Sequence, residues 1–186
     1  VSEQPIDDLP LLNPADFPDC LVCGPANPEG LGLRIHRDGT DAVARYTPRA
    51  TQIGYPERVH GGLIGMLVDE MLVYAGAPHD LWGMTAKVRY WLRRPIPVGQ
   101  ELTLRSRLVQ RSERGFRSVV TIHLPDGSLA AEGGGDVRHP QRPHAVGRPR
   151  SWSRWWLPMV RACRRAASPP TTSHASSARL SAAPRA

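Results

Sequence analysis

The sequence predicts an α+β fold in which one long buried helix is wrapped by a curved antiparallel sheet of about five to six strands. Three observations predict it. After His60-Gly61-Gly62, the residues Leu63, Ile64, Met66, Leu67, Val68, Met71, Leu72 and Val73 leave no polar stripe, which is the pattern of a helix buried on nearly all sides. Two short strand-like runs precede this helix and about four follow it, an order that surrounds a single helix with strands. Antiparallel strands curling around a lone helix would bury it all round, as its composition demands.

The elements follow in order. Residues 1–17 read as a Pro-rich N-terminal extension. The run "LGLRIHRDGTDAVARY" alternates on both sides of Arg37-Asp38-Gly39-Thr40, and an Asp-Gly between such runs signals a hairpin. A loop holding Gly54 and Pro56 leads to the helix, which ends near Gly76-Ala77-Pro78 because proline blocks continuation. In "TAKVRYWLRR", Ala86, Val88, Tyr90 and Leu92 alternate with Lys87, Arg89, Trp91 and Arg93, so one face is expected buried and one wet. "ELTLRSRLVQ" repeats the pattern with Leu102, Leu104 and Leu108, and "FRSVVTIHL" with Phe116, Val120, Ile122 and Leu124. A turn at Pro125-Asp126-Gly127 opens the last strand, "SLAAEGGGDVR", which is expected to break at Gly133-Gly134-Gly135.

Charge divides the chain. Of 186 residues, 1–138 carry 15 basic against 17 acidic side chains, and the formal net charge of +7 arises wholly from the segment after them. A basic isoelectric point is therefore no nucleic-acid footprint of the domain. Residues 139–186 hold Arg, Pro, Ser and Ala with no acid, a composition that cannot offset its ordering entropy. Within them, "SWSRWWLPMVRACRR" mixes Trp and Arg in a way that would suit a membrane surface or nucleic acid; an unstructured extension is the plainer reading. The expected organisation is a domain over 1–138 and a basic tail over 139–186.

Cys20, Cys23 and Cys163 are too few for a disulfide framework, which points to a reducing compartment. No basic segment followed by an apolar run opens the chain, so no signal peptide is visible, and the helix is too short to span a bilayer. The expectation is a soluble cytoplasmic protein without nucleic-acid or membrane partners. Structural zinc needs four ligands, and Cys20-x-x-Cys23 has no second Cys or His pair at suitable spacing. No metal and no cofactor are expected.

Two adjacent acids, Asp69 and Glu70, lie inside the apolar helix. An ionised carboxylate there costs several kcal/mol unless it is paired, hydrogen-bonded or wet. Together "HGGLIGMLVDE", "CLVCGPANPEGLGLR" and "TAKVRYWLRRPIPVGQEL" resemble the hotdog-fold acyl-CoA thioesterases, in the phenylacetic-acid-pathway branch marked by His-Gly-Gly with an Asp nine residues after the His. The resemblance covers roughly residues 18–138. It implies a homodimer or dimer of dimers, hydrolysis of an acyl or aryl-acyl coenzyme A thioester at the subunit interface, and an N-terminal segment that covers the domain.

The residues fit that chemistry. Hydrolysis needs donors where charge develops on the carbonyl oxygen, with a base or nucleophile close by. The N–H groups of Gly61 and Gly62 open a helix, so they are expected unpaired at the positive end of its dipole; a plain tight turn is the alternative. Asp69, seven residues after Gly62, returns to within about 20° of the same face. By resemblance it is the catalytic carboxylate, as general base or as nucleophile; otherwise it is a hydrogen-bonded acid that specifies the dimer. Glu70 points about 100° away and is expected to bond Tyr74 or an arginine.

By resemblance, His60 positions the loop or bonds the thioester carbonyl, and Thr85 steadies the acid or its water. Each also has a purely structural reading, as a turn cap and a strand residue. Where some relatives carry Asn or Gln six residues before the His, this chain has Gly54, and Gln52 is the candidate substitute. Met66, Leu72 and Tyr74 would set tunnel depth. Among arginines weighed for coenzyme A phosphates (Arg58, Arg89, Arg93 and Arg94), those beside the Pro95 turn, Arg93 and Arg94, are preferred. Gly62 and Asp69 lie about 10 Å apart along the axis, too far for one carbonyl, so antiparallel pairing about a twofold would set Gly62 of one chain opposite Asp69 of the other. A hydratase or dehydratase of the same fold and a non-catalytic acyl-CoA sensor are the rival readings; release of free coenzyme A separates hydrolysis from both.

Overall fold

Eight strands, one α-helix and two short 3₁₀ turns form the described residues, 4–13 and 17–139, of the computed structural model. The chain divides into units Val1–Ala145 and Val146–Ala186, and every described residue belongs to the first. The tail expected beyond 138, apart from His139, lies outside the described residues.

Strands β1 (Ile35–Asp38) and β2 (Asp41–Tyr46) form the expected hairpin, Asp38 opposite Asp41. Gly39 supplies the turn with φ of 62°, a value open to glycine at no steric cost. A short ribbon follows, β3 (Ile53–Tyr55) with β4 (Arg58–Val59). It was not legible as strands, because its residues carry turn-forming Gly54 and Pro56. Helix α1 (Gly61–Tyr74) leads through a 3₁₀ turn at Ala77–His79 to β5 (Met84–Leu92), β6 (Leu102–Ser112), β7 (Gly115–His123) and β8 (Leu129–Arg138). The six long strands make one antiparallel sheet in the order β1-β2-β6-β7-β8-β5.

The helix lies on this sheet, its Leu63, Ile64, Leu67, Val68, Met71 and Leu72 buried against Leu104, Val120, Ile122, Ala131 and Val137. Ser118, buried in β7, donates to the Leu72 carbonyl at 2.8 Å and ties the last turn of the helix to the sheet. The outer sheet face is wet and ion-paired: Arg105 reaches Asp38 at 2.6 Å and Asp41 at 3.0 Å, and Arg117 reaches Asp136 at 3.0 Å. Along β1, the N-terminal segment adds backbone bonds from Leu12 N to the Ile35 carbonyl and from Arg37 N to the Pro10 carbonyl.

Three expectations are corrected. Strand β8 does not break at its glycines but runs through Gly133–Gly135. Those glycines exist for close packing: a Cβ on Gly133 would meet Val68 at 2.6 Å, and one on Gly135 the Lys87 carbonyl at 2.3 Å. Strand β5 has no buried face, with Val88 and Tyr90 at 38% exposure and Leu92 at 53%. Its alternation correctly marks the helix side, since Tyr90 and Leu92 reach Gly65 and Gly61, but β5 is the sheet's edge and nothing lies beyond it in one chain. For the same reason the helix is not covered all round: Gly62, Gly65, Met66, Asp69 and Val73 form a stripe that is half-buried or exposed.

Candidate active site

The helix start is placed by the β3–β4 ribbon. Val59 N donates to the Ile96 carbonyl at 2.9 Å, and Arg58 bridges Pro97, so the Pro-Ile-Pro turn after β5 holds the ribbon in register. His60 N then donates to the Gln52 carbonyl at 2.9 Å. His60 is the N-cap of α1, with φ −63° and ψ 131°. Its Nδ1 accepts the Gly62 N–H at 2.9 Å, filling the role that Ser or Asp usually fills at a helix start.

This changes the expected donor pair. Gly62 N–H is not unpaired, because the imidazole two residues earlier reaches back to it; the hydrogen bonds of the described residues leave the Gly61 N–H unengaged. The same ring explains Gly54, where a Cβ would lie 2.7 Å from the His60 Cδ2. Gln52 Oε1 accepts from the Tyr46 hydroxyl at 2.7 Å and from Arg49 N at 2.8 Å. It braces the turn that carries the ribbon.

An open cleft of about 290 Å³ adjoins the helix start, lined by Arg58, Gly61, Ile64, Leu92, Arg94 and Ile96 among others. Two arginines, Arg58 and Arg94, thus border the same space as Gly61, the first residue of the helix. Arg93 also borders the cleft, yet its guanidinium is committed to Glu132 in a two-nitrogen ion pair and lies 5.9 Å from the Trp91 ring. Arg58 is engaged by its neighbour, its guanidinium donating to the Glu57 carbonyl at 3.2 Å.

Asp69 lies outside that cleft. Gly61, Gly65 and Asp69 are spaced by four residues on one stripe of α1, and the first two touch Leu92 and Tyr90 of the edge strand. Half-buried, the Asp69 carboxylate joins no hydrogen bond and no ion pair among the described residues. Thr85 is the second residue of β5, after Met84, and its buried hydroxyl has no hydrogen-bond partner among the described residues and makes no bond to Asp69. Met66 is half-buried against the core and does not line the cleft.

Glu70 departs from expectation. It bonds neither Tyr74 nor an arginine; its Oε1 lies 3.8 Å from Cys20 Sγ in the turn preceding β1, and the Tyr74 hydroxyl lies 3.3 Å from Cys23 Sγ. Burial pushes the Glu70 carboxyl up to about 7. The hydrogen bond from Cys23 draws the Cys20 thiol down to about 5, and that bond together with burial pushes Cys23 up. Helix periodicity alone could not find this cluster, since its cysteines come from a segment 50 residues earlier in the chain. That segment touches the helix through Cys20 at Glu70 and Cys23 at Tyr74.

Among the described residues, no helix is long and apolar enough to cross a membrane. No family model and no curated protein matches the chain. Solved structures do. A thioesterase superfamily protein matches with 27% identity and a TM-score of 0.60 over 63% of this chain; the chain spans 62% of that protein's length. The PaaI protein of the Escherichia coli phenylacetic acid degradation operon matches with 21% identity and a TM-score of 0.56, over 60% of this chain and 81% of its own. A point mutant of the phenylacetic acid degradation protein PaaI from Thermus thermophilus matches with 25% identity and a TM-score of 0.54, over 59% and 95%. One helix on a six-stranded antiparallel sheet, together with these likenesses, gives the chain the hotdog fold of the thioesterase superfamily proteins it resembles.

Proposed function

We propose that the chain is an acyl-CoA thioesterase that hydrolyses an acyl or aryl-acyl coenzyme A thioester at a site shared by two copies of itself. The observation that carries the reading is the Asp69 carboxylate, without a hydrogen-bond or ion-pair partner among the described residues, on the helix stripe that Gly61 and Gly65 turn toward an open sheet edge. An acid in an apolar helix is costly without a role, and a tunnel formed with a second copy supplies one. Pairing of two β5 edges would continue the sheet across a twofold axis, cover Val88, Tyr90 and Leu92, and lay the two helices antiparallel. Gly61 of one copy then approaches Asp69 of the other.

In this reading the substrate carbonyl oxygen accepts the Gly61 N–H, at the positive end of the helix dipole, as charge develops on it. Asp69 removes a proton from water, whose oxygen attacks the carbonyl carbon. Collapse of the tetrahedral intermediate breaks the C–S bond, and the proton held by Asp69 passes to the departing thiolate. Direct attack by Asp69, giving an anhydride that water opens, is the other route open to the same carboxylate. Arg58 and Arg94 would hold phosphates of the coenzyme at the cleft.

Release of free thiol from short, medium, long and aromatic acyl-CoA substrates tests the reading. Release that depends on Asp69 is expected. Binding without release would favour a sensor, and water addition to an enoyl thioester with the thioester intact would favour a hydratase.

A further inference from the structure

We propose that Cys20, Cys23 and Glu70 form a binding site for one zinc-type divalent cation, which fastens the turn preceding β1 to the middle of helix α1. The ligating atoms of these three side chains all lie within 4.8 Å of one another. With Zn–S bonds of about 2.3 Å and a Zn–O bond of about 2.0 Å, tetrahedral geometry separates two sulfurs by about 3.8 Å and a sulfur from an oxygen by about 3.5 Å. The 3.8 Å between Cys20 Sγ and Glu70 Oε1 is within a few tenths of an ångström of that edge.

The surroundings suit bound thiolates. Val22 N donates to Cys20 Sγ at 3.4 Å, and the Tyr74 hydroxyl is 3.3 Å from Cys23 Sγ, positioned to donate to it. Hydrogen bonds of this kind orient metal ligands and set their basicity. Gly24 fixes the turn, because a Cβ there would lie 2.3 Å from Cys20 N. Three groups that are anionic when deprotonated converge, and no Lys, Arg or His among the described residues forms an ion pair with Glu70. A cation is the counter-charge that all three can share.

Two sulfurs with one carboxylate select a borderline-soft ion over magnesium or calcium. Cys23 is buried while Cys20 is half-exposed, so water can reach a fourth position, as in sites with three protein ligands. The carboxylate decides between metal and disulfide: Glu70 would have no part in a Cys20–Cys23 bond but completes a ligand set. Counting cysteines and histidines along the sequence excluded a metal, because the third ligand comes from the helix. The site is independent of the thioester chemistry proposed above.

The test uses the full chain, made without a histidine tag, kept in a non-thiol reductant, given zinc sulfate and freed of excess by gel filtration. Elemental analysis should find about one zinc per chain. Cys20→Ser and Cys23→Ser should each weaken zinc binding at least about tenfold, the smallest loss seen even for groups that only hydrogen-bond a ligand. Glu70→Gln should weaken it too, and Cys163→Ser should not. Cobalt(II) in place of zinc should give thiolate-to-metal charge-transfer absorption that the two serine variants lack. Should those variants fail to fold, the wild type decides: chelation should lower its melting temperature, and zinc but not magnesium should restore it. Retention of less than about a tenth of a zinc per chain by the wild type overturns the proposal. So does equal zinc in folded serine variants, or a Cys20–Cys23 disulfide under the same reductant.

Discussion

Gly65 of the helix and Tyr90 of the edge strand approach so closely that a Cβ on residue 65 would lie 2.8 Å from the Tyr90 hydroxyl oxygen. That neighbour is the end of a half-exposed side chain and can swing away. At Gly135 the obstacle is the Lys87 backbone carbonyl, 2.3 Å from an added Cβ, held in the β5–β8 ladder. Gly65→Ala also gains up to about 1 kcal/mol of helix propensity. The expected outcome is near-neutral stability for Gly65→Ala and a loss of about 1–3 kcal/mol for Gly135→Ala, the scale of an overpacked core. Urea denaturation of both variants checks this; equal losses would contradict it.

Asp69→Asn should leave the fold intact and lower thioester turnover at least about a hundredfold, the scale of losing a general base or nucleophile. Glu70 faces Cys20 rather than the Gly61–Gly65 stripe, so Glu70→Gln should reduce turnover far less. Steady-state kinetics on the two variants separate the acids, and an equal fall in both would mean they are misassigned.

Sharing of the site between copies has its own test. His60 Nδ1 holds the Gly62 amide at the helix start, so His60→Ala should impair the donor side of the site while Asp69→Asn removes the acid side. Once single-variant assays show both chains inactive, the two unfolded together and refolded at random should recover about a quarter of wild-type activity per chain, since a mixed dimer holds one intact site and one doubly mutated site. Verified mixed dimers without recovery would exclude a shared site.

Val88→Lys places a charge on the open face of β5, where Val88 is 38% exposed in the single chain. Charged edge residues oppose strand-to-strand association. Sedimentation should show a shift from dimer toward monomer, with turnover falling in parallel. A monomeric variant with full turnover would place the whole site within one chain.

A chain ending after His139 should fold and keep its activity. His139 itself is needed, for its Nδ1 bonds the Trp82 carbonyl at 2.8 Å and its N bonds the Arg114 carbonyl at 3.0 Å. Thermal melts and substrate-saturation curves of the truncated chain check this. Loss of cooperative melting, or a large rise in KM, would give the acid-free tail a part in the domain or in substrate binding.

The sequence by itself determined the helix, the Asp38-Gly39 hairpin and the long strands, because periodicity of apolar side chains and turn chemistry are local properties. It also determined that Gly62 and Asp69 share a helix face, which follows from their spacing of seven residues. Only the tertiary structure decided which strand lies at the edge, and hence that the apolar side of β5 and one stripe of the helix stay open: strand order depends on contacts distant in sequence. It alone decided that Arg93 pairs with Glu132 and that Glu70 meets Cys20. A lone side chain carries no periodic signal of its partner, so contacts between segments 39 or 50 residues apart arise only when the fold closes over them.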